Sequence, residues 1–298
     1  MKKSTKSNES SILKTSYVAD LLLLSVAVIW GASYSLAKGA LAFTPVMFFL
    51  VLRFGLTFLV LIPFTYKELY IAPRSSLFSG ALLGLILFSI FISETYGIAY
   101  TSASNAAFLI SLCVVLTPIV DALLKKSIPD PMLLVATGIC VLGTWFMTNR
   151  QTLTFNVGDG LILLAALLRA LMVCSIKRVT NNYTLSSIAL TQIQMGVVFI
   201  GSLMAVFFLG DNLSLPTSNG FWVRLLFLVL FCTLFAFFAQ NYGVKHTNPA
   251  RSSFLMGTEP LFGAVFAIHL LSEPFSFQLL VGGGLITAGT YLGIKMTQ

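Results

Sequence analysis

Residues Tyr96–Leu109 read YGIAYTSASNAAFL, and residues Tyr242–Leu255 read YGVKHTNPARSSFL. The two phrases lie 146 residues apart, and at that shift they extend without a gap from Tyr96–Met147 onto Tyr242–Gly293. The identities include Tyr96/Tyr242, Gly97/Gly243, Thr101/Thr247, Phe108/Phe254, Gly138/Gly284, Gly143/Gly289 and Thr144/Thr290. Apolar segments resemble one another cheaply, but shared Gly, Tyr and Thr in one register do not arise from composition. The preceding part of each half aligns at a shift of about 139, placing Asp20 on Asp159 and Lys38 on Lys177.

What is repeated is membrane-like. Of the 298 residues, 57% are apolar and 9% charged, against about 25% charged in an average soluble domain. The apolar residues fall into runs of 17 to 25, each long enough to cross a hydrocarbon core as a helix. Ten spans are expected, at 19–38, 45–65, 76–98, 103–124, 131–148, 158–177, 185–209, 221–244, 250–271 and 276–295. Residues 1–18 form a hydrophilic tail, too long and polar for a secretory signal, so the first span is expected to be retained.

Five spans per copy is an odd number. A second copy that starts where the first ended enters the membrane from the other side, so the halves 19–148 and 158–295 are expected to have inverted topology. That plan recurs in secondary transporters, whose sites lie near the midplane between the halves. The predicted fold is therefore an all-α integral membrane protein of ten transmembrane helices in two inverted five-helix repeats.

The net charge of +8 reflects this topology. With the N-terminus inside, one face collects Lys2, Lys3, Lys6, Lys14, Lys67, Arg74, Lys125, Lys126, Lys177, Arg178, Lys245, Arg251 and Lys295, while the other holds Lys38 and Arg150. That asymmetry fits an inner (plasma) membrane protein with both termini cytoplasmic and argues against nucleic acid as a partner. The four cysteines, Cys113, Cys140, Cys174 and Cys232, all lie in apolar spans without metal-ligand spacing and read as packing residues.

The stretches TSASNAAFLISLCVVLTPIVDALL, ARSSFLMGTEPLFGAVFAIHLLSEPFSFQLLVGGGLITAG and WGASYSLAK together resemble the drug/metabolite transporter superfamily, in its EamA-domain branch. The resemblance covers almost the whole chain. It implies a cavity lined by spans 1, 3, 4, 6, 8 and 9, dimer contacts through spans 5 and 10, and outward movement of metabolites or drugs by alternating access. Its motifs specify the fold and say little about the cargo.

Ionisable residues inside a membrane are costly and mark sites by default. Glu259 stands near the middle of span nine, before Pro260; its alternative role is to fix a kink, in a Glu-Pro pair common in the family. Arg169 lies at similar depth in span six, where the first half has Trp30, so the shared fold does not require it. Its planar fork suits a substrate carboxylate or phosphate, the alternative being an internal ion pair with Glu259 or Glu94. Glu94, two residues before Tyr96, could hold an ammonium group, and Glu94 or Glu259 could carry a proton. Arg53 has Gln192 near its place in the other half and reads as scaffold.

Trp30, Ser33, Tyr34, Tyr96, Asn105, Ser111, Gln240 and Asn241 complete the expected pocket, with helix packing as the competing explanation. Gly138 and Gly143, with Gly282, Gly283, Gly284 and Gly289, suggest close helix packing first and a homodimer seam second.

Neither GxxxxGK[ST] nor GxSxG occurs, and His246 and His269 lie near opposite faces, so no enzyme, cofactor or metal site is expected. The expected function is secondary transport, in the export direction that the family resemblance implies, of a small polar metabolite, an amino acid or related zwitterion. The rivals are export of larger aromatic or cationic compounds and a non-transporting receptor or assembly subunit. In the doubled phrase, Asn248 and Ser102 are expected helix N-caps and Pro249 a first helical residue.

Overall fold

A computed structural model describes residues 2–101, 103–147, 156–182, 185–210, 214–271 and 277–297. Ser102 and Arg150 lie outside the described residues, as do the side chains of Lys2, Lys3, Lys6, Lys14 and His269. Among the described residues all regular structure is helical: α1 (Lys2–Gly31), α2 (Ser33–Leu41), α3 (Val46–Ile71), α4 (Arg74–Tyr100), α5 (Ala103–Ser111), α6 (Cys113–Lys125), α7 (Pro131–Met147), α8 (Val157–Asn182), α9 (Ser187–Leu209), α10 (Asn219–Phe227), α11 (Ala236–His246), α12 (Pro249–Met256), α13 (Glu259–Leu271) and α14 (Phe277–Met296). A π-helical stretch, Leu228–Phe235, joins α10 to α11.

Eight helical stretches are long and apolar enough to cross a bilayer. The other two spans read from the sequence are α7, apolar but 17 residues long, and the α12–α13 pair, broken at Gly257–Thr258. The packing is that of a protein in lipid. Phe64, Phe207, Phe208 and Val223 are exposed, whereas Thr57, Thr117, Thr191, Gln194, Asn241 and Ser252 are fully buried. Polar groups turn inward because hydrocarbon offers them no hydrogen bonds.

Helix ends recur in the register of the doubled phrase. α6 and α13 start 146 residues apart, and α4 and α11 end 146 apart. The break at Leu112, between α5 and α6, matches the break at Gly257–Thr258. Pro260 contributes to the second break, having no N–H to donate to the preceding turn. Position 114, its counterpart, is Val, and the first half breaks all the same. In the first half the interruption therefore forms without a Glu-Pro pair.

The pairings recur too. A Cβ on Gly143 would stand 2.6 Å from the Gly282 carbonyl, and one on Gly289 would stand 2.8 Å from the Ala136 carbonyl. α7 and α14 thus run antiparallel, with equivalent positions exchanging contacts. Gly97 of α4 abuts Ile162 of α8, and Gly243 of α11 abuts Leu23 of α1, in the same relation. Gly55 faces Phe199, and Gly196 faces Phe58, across antiparallel α3 and α9. This last pairing sets the α3/α9 register at 141, which puts Gln194 rather than Gln192 at the place of Arg53. Gly138 and Gly284 have open space beside them, so these two do not serve packing within the chain.

Asn248 caps α12 as expected: its side-chain oxygen accepts from the Arg251 N–H at 2.8 Å, with Pro249 following. Asn248 Nδ2 also donates to the Thr297 carbonyl, so the α11–α12 turn and the C-terminal end share one face.

Candidate functional site

Two adjoining cavities lie at the centre, and Trp30, Arg169 and Gln240 line both. The first extends between α6 and α12–α13, past Ser111, Cys113, Ser253 and Glu259. The second extends between α3 and α4, past Ser33, Arg53, Phe91, Glu94 and Phe237. Arg169 stands at the partition. Its Nη1 lies 3.4 Å from Glu259 Oε2 and its Nε 3.9 Å from Glu94 Oε2, and its guanidinium carbon sits 4.4 Å from the centre of the Trp30 ring.

These contacts are long for charge-assisted bonds, which close to about 2.7–2.9 Å when a fork and a carboxylate lock together. Arg169 is shared loosely between two carboxylates and flat against an aromatic face that attracts cations. Glu259 Oε1 and Gln240 Oε1, both on residues at least nine-tenths buried, have no hydrogen-bond partner among the described residues. The buried Tyr34 hydroxyl lies beside the Glu259 carboxylate, among the charges of Glu94 and Arg169. The wall thus offers acceptors to a molecule carrying N–H groups, beside a guanidinium able to meet an anion.

The lining follows the repeat. Trp30 and Arg169 are equivalent positions, as are Glu94 and Gln240, Cys113 and Glu259, Phe91 and Phe237, and Ser111 and Gly257. Phe91 and Phe237 keep the aromatic character in both halves, with ring centres 5.7 Å apart. Every charge in the other pairs is carried by one half only. A shared scaffold therefore holds an unsymmetrical set of charges.

Trp30 is fixed from behind by the π-helical stretch, where its Nε1–H donates to the Cys232 carbonyl at 2.9 Å. The wider π turn shifts carbonyls out of the ordinary ladder, a device common at functional sites. Arg53 donates from Nε to Thr233 Oγ1 at 2.7 Å and lies against the Phe54 and Phe91 rings, which suits a scaffold role at the cavity edge.

Of the residues expected to form the pocket, Trp30, Ser33, Glu94, Ser111, Arg169, Gln240 and Glu259 come together here, with Tyr34 buried among their charges. Three are placed elsewhere. Tyr96 packs on the apolar core and along Tyr100. Asn105 reaches Thr101 and Asp159 near the α4–α5 turn. Asn241 turns toward α9 and donates to Thr191 and Gln194. Sequence reasoning passed over Cys113, Phe91, Phe237 and Ser253; the shift that pairs Cys113 with Glu259 was the signal available for the first.

A helical membrane protein with a buried, charged cavity at its centre has the architecture of a solute transporter. A model of the EamA-like transporter family matches residues 17–149 and again residues 156–294, and the chain belongs to that family. It is 27% identical over 267 residues to an uncharacterized transporter of Archaeoglobus fulgidus, covering 86% of this chain and 79% of that one. It is 22% identical to the uncharacterized transporter YyaM of Bacillus subtilis, over 90% of this chain and 91% of the relative. A solved structure, described only as the crystal structure of a protein, superposes with a TM-score of 0.75 at 15% identity, covering 94% of this chain and 97% of that chain.

Proposed function

We propose that this protein moves a small polar metabolite, an amino acid or related zwitterion, outward across the membrane by alternating access. In this reading the chain crosses an inner (plasma) membrane ten times as two inverted five-helix halves, 19–148 and 158–295, with both termini cytoplasmic. The matched helix ends and the antiparallel exchange between α7 and α14 support the inverted arrangement.

The observation that carries the substrate class is Arg169 placed between Glu259 and Glu94 without a tight bond to either. A zwitterion can enter by exchange: its carboxylate takes the guanidinium and its ammonium takes the Glu259 carboxylate, so each of its charges meets an opposite one in low dielectric while Glu94 stays beside Arg169. Purified protein in liposomes, offered labelled amino acids, tests this. Saturable counterflow of one or more is expected, and absence of both flux and binding across the set would overturn the amino-acid reading.

A second reading, transport of larger aromatic cations, draws on two carboxylates set beside one central arginine and on the Trp30, Phe91 and Phe237 faces. Arg169→Ala separates the two. It abolishes transport of a zwitterion and spares that of a lipophilic cation.

A further inference from the structure

Two matched polar clusters stand at opposite ends of the molecule. On the face that carries the C-terminal end, Asp20 of α1 accepts two bonds from Arg251 of α12, at 2.9 Å from Nε and 2.5 Å from Nη2. On the other face, Asp159 of α8 accepts from Thr101 Oγ1 at 2.7 Å and from Asn105 Nδ2 at 3.4 Å. Asp20 and Asp159 are equivalent positions, and so are Asn105 and Arg251. The same device is built twice, once charged and once with a neutral amide in place of the guanidinium.

Each cluster also joins one half of the chain to the other. α1 belongs to the first half and α12 to the second; α4 and α5 belong to the first and α8 to the second. Any rocking of the halves that opens the central cavity toward one face has to part the cluster on that face and can leave the other intact.

Parting them is not equally costly. Separating Asp20 from Arg251 pulls apart a two-bonded ion pair whose side chains are only 22% and 14% exposed. Asp159 loses less, because it keeps the backbone N–H of Asn156 from its own helix start, at 3.2 Å. It gives up one short bond from a neutral hydroxyl and one long bond from an amide, whereas Asp20 gives up both arms of a charged guanidinium fork, whose two-bonded geometry adds to the strength of the pair.

We infer that Asp20–Arg251 and Asp159–Thr101–Asn105 are the two interlocks of the access cycle, and that their inequality biases the empty protein to open toward the face opposite its C-terminus. The inference rests on the alternating-access reading above. Its residues are positioning residues, acting on which side reaches the cavity rather than on the substrate itself.

Cys113, in the cavity wall, provides the reporter. With Cys140, Cys174 and Cys232 replaced by Ala, full-length protein is placed in vesicles of known orientation and exposed to a membrane-impermeant maleimide from one side at a time. Labelling of the parent is expected to be faster from the face opposite the C-terminus. Asp20→Asn should raise labelling from the C-terminal face by about fivefold or more and lower it from the other, the signature of a shifted two-state equilibrium. Asp159→Asn should shift it the other way, and the exchanged pair Asp20→Arg with Arg251→Asp should restore the parent ratio.

Variants that remain folded by gel filtration but leave the ratio of the two labelling rates unchanged would overturn the interlocks. So would a charge exchange that fails to restore the ratio while Asp20→Asn shifts it. A shifted ratio in a protein that moves no amino acid supports the interlocks and removes only the substrate reading. Amino-acid flux with an immovable ratio does the reverse.

Discussion

Arg169 lies flat over Trp30, 4.4 Å from its ring centre, and the two residues occupy the same position in the two halves of the chain. α1 and α8 come from repeated segments of the sequence, and their packing brings these equivalent positions face to face. At that meeting point one half supplies an aromatic plane and the other a cation, so the repeat itself creates the contact. The indole is held by the Cys232 carbonyl, which fixes the surface on which the guanidinium rests.

Arg169→Lys should not substitute. An ammonium on a flexible stem cannot keep two carboxylates and an aromatic face in contact at once. Loss of a hydrogen bond to a charged group costs about 1.5–3 kcal/mol, or roughly tenfold to a hundredfold in affinity. Zwitterion binding to the purified lysine variant should weaken by that factor, while uptake of a lipophilic cation stays near the parent rate.

Glu259→Gln and Glu94→Gln are expected to differ. Glu259 is the nearer to Arg169 and has an oxygen without a partner, whereas Glu94 stands at 3.9 Å. Equilibrium binding of an ammonium-bearing substrate should fall roughly tenfold to a hundredfold in the first variant and less than about tenfold in the second. Equal losses would mean that the ammonium group sits between the carboxylates rather than on Glu259.

Among the four cysteines, Cys113 alone is half-buried and lines a cavity; Cys140, Cys174 and Cys232 are buried in packing. Bound substrate should slow alkylation of Cys113 by a permeant maleimide, and mass spectrometry of the modified protein should show no such protection at the other three. Protection at Cys140 instead would place the ligand between α7 and α14.

The glycines of α7 should divide sharply. A Cβ at Gly143 meets the Gly282 carbonyl at 2.6 Å, a backbone atom that cannot turn aside, whereas a Cβ at Gly138 meets nothing within 4 Å. Gly143→Ala should therefore cost about 1–3 kcal/mol, the usual penalty for overpacking, read as a lower melting temperature in detergent. Gly138→Ala should melt like the parent or slightly higher. If Gly138→Ala alone disrupts self-association, the open face of α7 is where a second copy docks.

Much of the architecture was legible because lipid leaves the chain few choices. Every spanning segment must bond its own backbone and turn apolar side chains outward, so span positions follow from hydropathy. The doubled phrase exposed the repeat, and Arg169 against Trp30, in the part that aligns at a shift of about 139, stood out as a break in it. Asn105 and Asn241 could not be placed from the sequence because a polar residue near a helix turn reads the same whether it faces a cavity or a neighbouring helix; the structure gives them Asp159, Thr191 and Gln194 as partners. The π-helical stretch, which packs against α1 and α3, does not show in the hydropathy of the chain.

The sequence by itself determined that this chain is helical, lies in a membrane and says the same thing twice, because hydropathy and internal repetition are local properties of a chain. Only the tertiary structure decided which members of the repeat meet. Trp30 against Arg169, Cys113 in the same cavity as Glu259, and Asp20 with Arg251 opposite Asp159 with Asn105 are contacts between distant segments. They are set by how helices far apart in the chain pack against one another, and hydropathy does not encode that packing.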